Sequence, residues 1–302
     1  MELNKLKSIL KDFDPNVFYN QDLKKKNWFN IGGKSKIFFK ADGLKELISF
    51  LKIINNQEKI FILGAGSNTL ISDNLFDGIV IKLGKSFNNI SLLHEDIIIA
   101  GTSVLDKSLS EFAKINNLSG LEFLSCIPGT VGGGIKMNAG CFGKEFKDIL
   151  LSIQVIDKFG NVSTIQSKDI NFEYRNSNLP ENLIFLSASF KAKKSEVSII
   201  QGKIDELKLK KENSQPTKIK TSGSTFKNPI TQTKKKVWEL IKESVPPNQK
   251  FGDACISEKH YNFFVNKGNA TFKDMTKLID FVSQKVLEKT GISLEKEIKI
   301  LE

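Results

Sequence analysis

The stretch that decides the fold lies near the middle of the chain. It reads Ile127-Pro128-Gly129-Thr130-Val131-Gly132-Gly133-Gly134 and continues, two residues later, as Met137-Asn138-Ala139-Gly140. Five glycines fall within twelve residues here, between apolar neighbours. Glycine loses more conformational freedom on folding than any other residue, so a mere surface loop does not explain the run. A backbone lying against a flat or phosphorylated ligand does, and a structural bend is the alternative. Across residues 120–145 the periodicity is too weak to predict an ordinary helix or strand.

Two further loops are rich in glycine or serine. Gly64-Ala65-Gly66-Ser67-Asn68 follows a short apolar strand, and its glycines allow backbone N–H groups to approach a ligand closely. It is not a dinucleotide fingerprint, because the third glycine and the following amphipathic helix are missing. The loop Ser222-Gly-Ser-Thr-Phe-Lys-Asn-Pro229 offers hydroxyls, an amide and an ammonium. This set suits the binding of a phosphate or the donation of a proton, and it suits an exposed turn equally well.

Hydrophobic periodicity places these loops among mixed helices and strands. Helices are predicted at residues 3–10, 44–54, 104–116, 195–213, 235–243 and 272–290. Strands are predicted at residues 36–40, 59–63, 78–83, 96–100, 151–157, 162–165, 261–266 and 297–300. A polar connector is expected between the first helix and residue 22, and the lysine-rich helix at 195–213 is interpreted as a linker into a last unit. The order is not a regular βαβ array, so the pattern predicts an α+β fold with mixed sheets.

Composition places the chain among globular proteins. Its 302 residues are 40% hydrophobic and 26% charged, which excludes a disordered polymer, a collagen-like fibre and a disulfide-stapled miniprotein. The longest apolar runs are far shorter than the roughly 20 residues that cross a bilayer, and no export signal is visible at the N-terminus. Cys126, Cys141 and Cys255 are far apart in sequence and fit a reducing cytoplasm. Because there is no CxxC motif or histidine-rich cluster, no metal site is predicted.

The net charge of +11 raises nucleic acid or an anionic substrate as a partner. Lysines interleaved with Glu and Asp carry almost all of it, so the short lysine runs are interpreted as solvated surface. The chain has 44 lysines and a single arginine, Arg175. Arg175 is therefore predicted where a planar, bidentate cation is needed; an arginine left by chance at the surface is the alternative. A nucleic-acid binder would need clustered Arg and Lys with interleaved aromatics, and the single arginine argues against one.

Taken in order, eight segments resemble the UDP-N-acetylenolpyruvoylglucosamine reductase family, the flavoenzymes of the second committed step of bacterial peptidoglycan precursor synthesis. They run almost from end to end, at residues 27–33, 63–73, 120–134, 137–140, 174–177, 223–229, 257–260 with 265–266, and 294–298. Each segment alone is moderately specific, and eight in register are very specific. Only 47 residues separate Arg175 from Gly223, and the chain stops five residues after Glu297. This spacing resembles the shorter, second type of the family, so no substrate-capping tyrosine is assigned.

The resemblance implies a two-lobed FAD-binding region of the vanillyl-alcohol-oxidase (PCMH) type and a C-terminal α+β substrate-binding domain. The first would span residues 1–195, with lobes of about 1–83 and 84–195, and the second residues 196–302. It also implies a cytoplasmic, monomeric oxidoreductase in which NADPH reduces non-covalent FAD. The enolpyruvyl ether of UDP-N-acetylglucosamine would then receive hydride at its methylene carbon and become UDP-N-acetylmuramate. The expected partners are this UDP-sugar and NADPH, with no nucleic acid and no membrane.

By the family pattern, three residues carry the chemistry. Ser224 would donate the proton, while Arg175 and Glu297 would lie at the substrate carboxylate and the developing enolate. FAD is expected against Gly64, Ala65, Gly66, Ser67, Asn68, Thr69, Ile127, Pro128, Gly129, Thr130, Gly132, Gly133, Asn138, Ala139 and Gly140. Lys227 and Asn228 would bind the uridine diphosphate. Tyr174 would pack on the uracil or nicotinamide side, with a buried core tyrosine as its alternative.

The chemistry of these side chains is compatible with such roles. A guanidinium binds a carboxylate through two parallel N–H bonds and follows its charge as the group becomes enolate-like, which a lysine does not. An ionised Glu297 would be repelled by that carboxylate, so a raised pKa and a protonated, donating form are expected. A serine hydroxyl is a very weak acid and serves only within hydrogen-bond reach of a carbanion-like centre. His260 is interpreted as a packed, hydrogen-bonded histidine.

One alternative within the enzymes stays open. A flavin-dependent oxidase of the wider vanillyl-alcohol-oxidase type would share the FAD-binding half. Such enzymes often attach the flavin through His or Cys, and neither residue occurs between positions 64 and 73. Ser224 and Glu297, in register in the last third of the chain, also argue against an oxidase.

Overall fold

The computed structural model describes residues 3–216 and 219–302, and these form two compact units. The first unit takes the described residues of Met1–Gln21, Lys36–Ala65 and Asp77–Lys211. The second takes those of Asp22–Ser35, Gly66–Phe76 and Glu212–Glu302. Two short pieces of the N-terminal third thus belong to the unit that contains the C-terminal third. A single cut after residue 195 does not represent this arrangement, and the bounds 1–195 and 196–302 stay a prediction about functional domains.

Helices and strands are interspersed along both units without a regular alternation. Within the described residues, the α-helices are α1 (Leu3–Ile9), α2 (Leu44–Ile54), α3 (Asp106–Ile115), α4 (Val131–Lys136), α5 (Val197–Ser214), α6 (Val237–Ser244) and α7 (Phe272–Thr290). Short 3-10 helices lie at Lys11–Phe13, Lys24–Lys26, Lys85–Phe87, Glu122–Cys126, Phe146–Asp148 and Ser167–Asp169. The strands are β1 (Val17–Asp22), β2 (Lys34–Ala41), β3 (Ile60–Ile62), β4 (Thr69–Ile71), β5 (Phe76–Leu83), β6 (Ile90–His94), β7 (Ile97–Gly101), β8 (Leu118–Ser119), β9 (Gly140–Cys141), β10 (Lys144–Glu145), β11 (Leu150–Ile156), β12 (Val162–Gln166), β13 (Ile184–Lys191), β14 (Lys193–Lys194), β15 (Lys250–Phe251), β16 (Ala254–Ile256), β17 (Phe264–Asn266) and β18 (Lys299–Leu301).

The first unit has two main sheets, each with its own hydrophobic core. One sheet has the order β1-β2-β5-β3, with β3 parallel to β5, and α2 buries its apolar stripe against it. In that core the rings of Phe39 and Phe50 stack with centroids 3.9 Å apart. The other sheet, β12-β11-β13-β7-β6, is antiparallel throughout. Its core includes residues of α3 and α4, so the glycine-rich stretch is packed against a buried sheet face.

The second unit packs α6 and α7 on a three-stranded antiparallel sheet, β15-β16-β17. Helix α7 buries Met275, Leu278, Ile279, Val282 and Val286 at helical spacing. It begins with a capping box between Thr271 and Asp274 and ends at Gly291, whose φ of 71° lies in the left-handed region. A parallel pair of strands, β4 and β18, joins residues 69–71 to residues 299–301.

The glycine-rich stretch is more regular than the sequence predicts. It contains the 3-10 helix Glu122–Cys126, helix α4 and the pair β9–β10, so the expectation of no ordinary element is wrong. The reason is close packing: a Cβ on Gly134 would overlap the ring of Phe146, and one on Gly132 would lie 3.0 Å from Thr102 Cβ. Residues without side chains carry no hydrophobic periodicity, although α4 buries Val131, Gly134 and Ile135. The predicted polar connector is also wrong in part, because β1 occupies residues 17–22 with every second residue turned inward.

Candidate active site

Tyr174 and Arg175 occupy the centre of a tight turn in the first unit. The N–H of Glu173 donates to the carbonyl oxygen of Asn176 (2.9 Å), and the N–H of Asn176 donates to that of Glu173 (3.2 Å). Arg175 has a φ of 58°, in the left-handed region that non-glycine residues rarely adopt. Such strain persists only where the surrounding structure enforces it, and it concentrates at functional sites. The turn therefore presents Arg175 in one defined backbone orientation.

Three neighbours in the same unit hold the Arg175 guanidinium. Nη2 donates to the carbonyl oxygen of Gly140 (2.9 Å), and Nη1 lies 3.4 Å from Oε1 of Glu145. The guanidinium carbon is 4.8 Å from the ring centroid of Tyr174, a cation–π contact. The side chains of Arg175 and Glu145 are only 17% and 18% exposed. Arg175 is therefore not an arginine left by chance at the surface.

Residues 138–140 build the support beneath Arg175. Asn138 is fully buried, and its Nδ2 donates to Oε2 of Glu145 (3.1 Å) and to the carbonyl oxygen of Glu173 (3.0 Å). Gly140 supplies the carbonyl that Arg175 binds, and a Cβ there would overlap the backbone of β10. The contacts within the unit explain why this motif is needed beside the arginine. The predicted FAD contacts of these residues stay a prediction.

Gly64 lies against the glycine-rich stretch within the first unit. A Cβ on Gly64 would come within 2.7 Å of Thr130 Oγ1, so two of the predicted FAD loops meet here without a large side chain between them. The N–H of Gly132 donates to the carbonyl oxygen of Thr102 (2.9 Å) and anchors the start of α4. Ile127, Pro128 and Gly129 lead into this point.

The residues of both loops fit a flavin dinucleotide. Residues 64–69 and 127–134 include no carboxylate, so they do not repel a diphosphate. Gly133 is exposed on the first turn of α4, and a Cβ there would make only an ordinary contact, 3.6 Å from Thr130 Oγ1. Its missing side chain is therefore not required by packing. It leaves the backbone accessible to a flat or phosphorylated group.

Ser224 lies on a short backbone bridge in the second unit. Ser224 pairs with Phe263, and the N–H of Thr225 donates to the carbonyl oxygen of Asn262 (2.8 Å). Asn262 is buried and binds both ends of Phe226: Nδ2 donates to its carbonyl oxygen (2.8 Å), and Oδ1 accepts from its N–H (3.0 Å). Backbone pairing and the Asn262 amide thus position the segment that carries the Ser224 hydroxyl.

Glu297 lies on a neighbouring segment of the same unit. Its N–H donates to the carbonyl oxygen of Thr225 (2.8 Å). Nδ2 of Asn68 donates to the Glu297 carbonyl oxygen (3.0 Å), just before β4 runs beside β18. The second unit therefore brings together Ser224, Glu297 and residues 66–69. Of the predicted FAD loop, Gly64 and Ala65 belong to the first unit, while Gly66, Ser67, Asn68 and Thr69 belong to the second.

Lys227 and Asn228 both have partners within the second unit. Nζ of Lys227 lies 2.5 Å from Oε1 of Glu295, and the two residues are also joined by a backbone hydrogen bond of 2.8 Å. Oδ1 of Asn228 accepts from the N–H of Val237 (3.0 Å) and caps the start of α6. These contacts fix both side chains, which follow Ser224 by three and four residues in the sequence. Their predicted contact with uridine diphosphate stays a prediction.

Sequence reasoning missed two residues that shape the site. Glu145 is the carboxylate partner of Arg175, and Asn262 clamps the loop that carries Ser224. A lone arginine suggests an acidic partner, but nothing in the sequence indicates which of the 34 Asp and Glu residues supplies it. Asn262 lies between the matching residues 257–260 and 265–266, and its role depends on a contact 36 residues away along the chain. Only the fold reveals that contact.

Two protein-family models match parts of this chain. Residues 35–166 match an FAD binding domain, and residues 215–301 match the C-terminal domain of UDP-N-acetylenolpyruvoylglucosamine reductase. A UDP-N-acetylenolpyruvoylglucosamine reductase of Pelagibacter ubique is 61% identical over 301 residues, which is 100% of each chain. The chain belongs to the UDP-N-acetylenolpyruvoylglucosamine reductase family.

Other members of the family match almost as completely. A UDP-N-acetylenolpyruvoylglucosamine reductase of Rickettsia typhi is 45% identical over 283 residues, covering 93% of this chain and 95% of the relative. A crystal structure of the Thermus caldophilus reductase aligns with a TM-score of 0.80 at 30% identity, covering 95% of this chain and 98% of that one. These matches confirm the predicted family, the α+β class and an FAD-dependent oxidoreductase of peptidoglycan precursor synthesis. The FAD binding domain and the family membership also confirm the predicted cofactors, FAD and NADPH.

Three remaining features concern the rest of the molecule. Across residues 3–216 and 219–302, no helix is both long and apolar enough to span a bilayer. The same residues contain no group of three or more His, Cys, Asp or Glu side chains placed to hold a metal ion. His260 is packed with its ring centroid 4.6 Å from that of Phe263, and its Nδ1 accepts from the N–H of Asn262 (3.3 Å). Burial lowers the pKa of His260.

Proposed function

We propose that this reductase converts UDP-N-acetyl-3-O-(1-carboxyvinyl)-glucosamine into UDP-N-acetylmuramate, with NADPH as the source of electrons. When bound, FAD supplies the hydride that reduces the methylene carbon of the enolpyruvyl group. Negative charge then develops at the carbon beside the substrate carboxylate. The residues of this chain must hold that carboxylate, stabilise the charge and deliver one proton.

Arg175 is proposed to bind the substrate carboxylate. Its guanidinium is permanently charged and planar, so two parallel N–H bonds can follow the carboxylate as it becomes enolate-like. The Glu145 carboxylate and the Gly140 carbonyl fix its plane from behind. Because Gly140, Glu145 and the ring of Tyr174 already hold the guanidinium, its orientation is set before the substrate arrives, and less binding energy is spent on ordering this side chain.

Ser224 is proposed to donate the proton, and Glu297 to stand beside the developing enolate as a protonated donor. The observation that carries this proposal is the 2.8 Å hydrogen bond from the N–H of Glu297 to the carbonyl oxygen of Thr225. This bond keeps Ser224 and Glu297, which are 73 positions apart in the sequence, on adjacent segments of one unit. A weak acid such as serine acts only where the accepting carbon lies within hydrogen-bond reach.

The remaining predicted residues are proposed to bind the cofactor and the nucleotide. The loops around Gly64 and Thr130 would hold the FAD pyrophosphate and isoalloxazine, and Lys227 and Asn228 would bind the uridine diphosphate. Tyr174 would contact the uracil or nicotinamide while it supports Arg175.

We further propose that the protein is a cytoplasmic monomer. It is also proposed to bind no nucleic acid, because its positive charge comes from lysines interleaved with acidic residues. Light scattering on a size-exclusion column would test the monomer.

The half-reactions of the purified protein test the function. Denaturation should release FAD and leave no flavin on the chain. Under anaerobic conditions, NADPH should bleach the flavin absorbance, and the enolpyruvyl UDP-sugar should then restore it. A colourless protein that cannot be reconstituted with FAD, covalently attached flavin, or reduced flavin that the UDP-sugar does not reoxidise would each overturn the proposal.

A further inference from the structure

Lys227, the lysine proposed to bind uridine diphosphate, already holds an anion of this chain. Its Nζ lies 2.5 Å from Oε1 of Glu295. The two residues are also joined through their backbones, because the N–H of Lys227 donates to the carbonyl oxygen of Glu295 at 2.8 Å. A diphosphate that approaches Lys227 therefore meets an ammonium group whose charge is already paired.

The two partners of this ion pair differ in exposure. The Lys227 side chain is 16% exposed, whereas the Glu295 side chain is 71% exposed. An ammonium group that is largely covered is costly to leave without an anion. A carboxylate in contact with water loses little when its partner is taken away, since exposed ion pairs contribute little to stability. The cation is therefore fixed in place, and the anion is the partner that can be exchanged.

Backbone pairing places this ion pair beside Glu297. Phe226 forms a bridge with Lys296, and the N–H of Glu297 donates to the carbonyl oxygen of Thr225 at 2.8 Å. Directly paired residues of an antiparallel ladder lie on one face, and alternate residues of each segment share that face. Glu295 and Glu297 thus lie on the same face of this ladder. The ion pair therefore belongs to the face that carries the residue predicted at the enolate.

We propose that Glu295 is an exchangeable counter-ion, which occupies Lys227 in the free enzyme and gives way to the diphosphate of the substrate. This inference rests on the proposed function, because it takes Lys227 as a contact of the uridine diphosphate. A diphosphate carries more negative charge than a single carboxylate, so the ammonium attracts it more strongly. The diphosphate also repels the Glu295 carboxylate, which moves into water while the backbone bond between residues 227 and 295 is retained.

Glu295 thereby makes the nucleotide site selective for highly charged ligands. An anion must displace a carboxylate before it reaches Lys227, so the gain from the ammonium is partly offset by the loss of the existing ion pair. A diphosphate gains enough to complete the exchange, whereas an ion of lower charge, such as inorganic phosphate, gains less. The acid lowers the affinity for every anion, and it discriminates most strongly against the weaker ones.

Isothermal titration of the FAD-loaded protein with UDP tests this exchange. Glu295→Gln keeps the shape of the side chain and removes its charge, so UDP should bind about 3- to 10-fold more tightly than it binds to wild type. Inorganic phosphate should also compete with UDP at lower concentrations in this variant. Glu295→Asp keeps the charge and should stay within about 2-fold of the wild-type affinity.

The matched control is Glu288→Gln, which removes the same charge from another ion pair of the second unit, with Lys285 at 2.6 Å. It should leave the affinity for UDP within about 2-fold of wild type. Lys227→Met should weaken UDP binding at least about 10-fold, and in that background Glu295→Gln should have no more effect than the control. Unchanged FAD absorbance and melting temperature show that each variant is folded.

The outcomes separate this inference from the function on which it rests. If Glu295→Gln binds UDP as wild type does, or more weakly, while Lys227→Met loses affinity, Glu295 only holds Lys227 in place and the inference is overturned. If wild type does not bind UDP, or if Lys227→Met binds it equally well, the proposed nucleotide contact itself fails. Equally tighter binding to Glu288→Gln would show a general effect of net charge and would also overturn the inference.

Discussion

The Arg175 turn and the Ser224 bridge hold their functional side chains in opposite ways. In the first unit, Gly140 and Glu145 bind the Arg175 side chain directly, and Arg175 itself lies in a turn with a strained, left-handed φ. In the second unit, backbone pairing and Asn262 fix the segment of Ser224, while Glu297 is tied through its main chain. The first arrangement suits a cation that must keep one plane. The second suits a donor whose backbone must be in place and whose hydroxyl must be free to rotate.

This difference decides which substitutions report chemistry and which also disturb structure. Removing the Ser224 hydroxyl leaves every backbone contact of its segment in place. Changing Arg175 leaves the Glu145 carboxylate without the guanidinium fork that matched it. Effects at Ser224 should therefore separate the half-reactions, whereas effects at Arg175 should combine catalysis with local geometry.

The largest expected effect is that of Ser224→Ala on the second half-reaction. Reduction of FAD by NADPH needs no proton from Ser224, so it should stay within a few-fold of wild type. Reoxidation by the enolpyruvyl substrate needs that proton and should slow by at least about 100-fold, the usual scale for removing a positioned acid. Ser224→Cys should fall between. Stopped-flow absorbance of the anaerobic enzyme measures both steps.

The control for this variant is Ser198→Ala, which removes an exposed hydroxyl from α5 and should change neither step. An alanine variant at 224 that slows both half-reactions equally would contradict the proton-donor role. Ser224 would then act by holding ligands or the loop, and the proton would come from another residue or from water.

Arg175→Lys tests the other side of the comparison. Charge is kept but the bidentate fork is lost, so turnover should fall roughly 10- to 1000-fold, equivalent to about 1.5 to 4 kcal/mol of charge-assisted bonding. FAD content and melting temperature should change little. Steady-state kinetics of the FAD-loaded variant measures the loss. A lysine variant with near-wild-type turnover would show that the fork is not required.

The sequence predicts which residues carry the proposed chemistry better than it predicts the contacts that position them. Arg175, Ser224 and Glu297 are visible because the motifs around them resemble a family, and helix α7 is visible because its apolar residues follow helical spacing. Glu145 and Asn262 are not visible, because their importance depends on contacts 30 and 36 residues away. Helix α4 is not predicted for another reason: Gly132 and Gly134 allow close packing, and a residue without a side chain adds nothing to the hydrophobic pattern.

Glycines of α4 allow a smaller effect to be predicted, one that separates packing from cofactor binding. Gly134→Ala places a Cβ in the Phe146 ring and should lower the free energy of unfolding by about 1 to 3 kcal/mol. Gly133→Ala meets only Thr130 Oγ1 at 3.6 Å and should leave the apoprotein within about 0.5 kcal/mol of wild type. If the Gly133 backbone contacts FAD, the same change should weaken FAD binding. Urea unfolding of apoprotein and flavin titration distinguish the two, and equal destabilisation by both variants would contradict the packing argument.

Each unit also buries a polar side chain that has no hydrogen-bond partner among the described residues, and this pair gives the last prediction. Asp106 begins α3 beside the predicted FAD loop, and Thr225 follows Ser224. Both are fully buried, but only Asp106 titrates. Burial raises the pKa of Asp106 well above its ordinary value of 3.8.

The sign of the pH effect follows from proton binding. Above pH 3.8 the unfolded chain loses the Asp106 proton while the folded protein keeps it, so stability falls with rising pH until the folded pKa is reached. Asp106→Asn removes this dependence. The variant should therefore gain on wild type by about 1.4 kcal/mol per pH unit within that window, and the gain should vanish below pH 3.8. Thr225→Val should instead shift stability by about 1 kcal/mol at every pH. Urea unfolding at a series of pH values measures both effects. If the free energy of unfolding of Asp106→Asn differs from that of wild type by the same amount at every pH, the buried carboxyl has a compensating partner. The stability of the two units would then not differ in its dependence on pH.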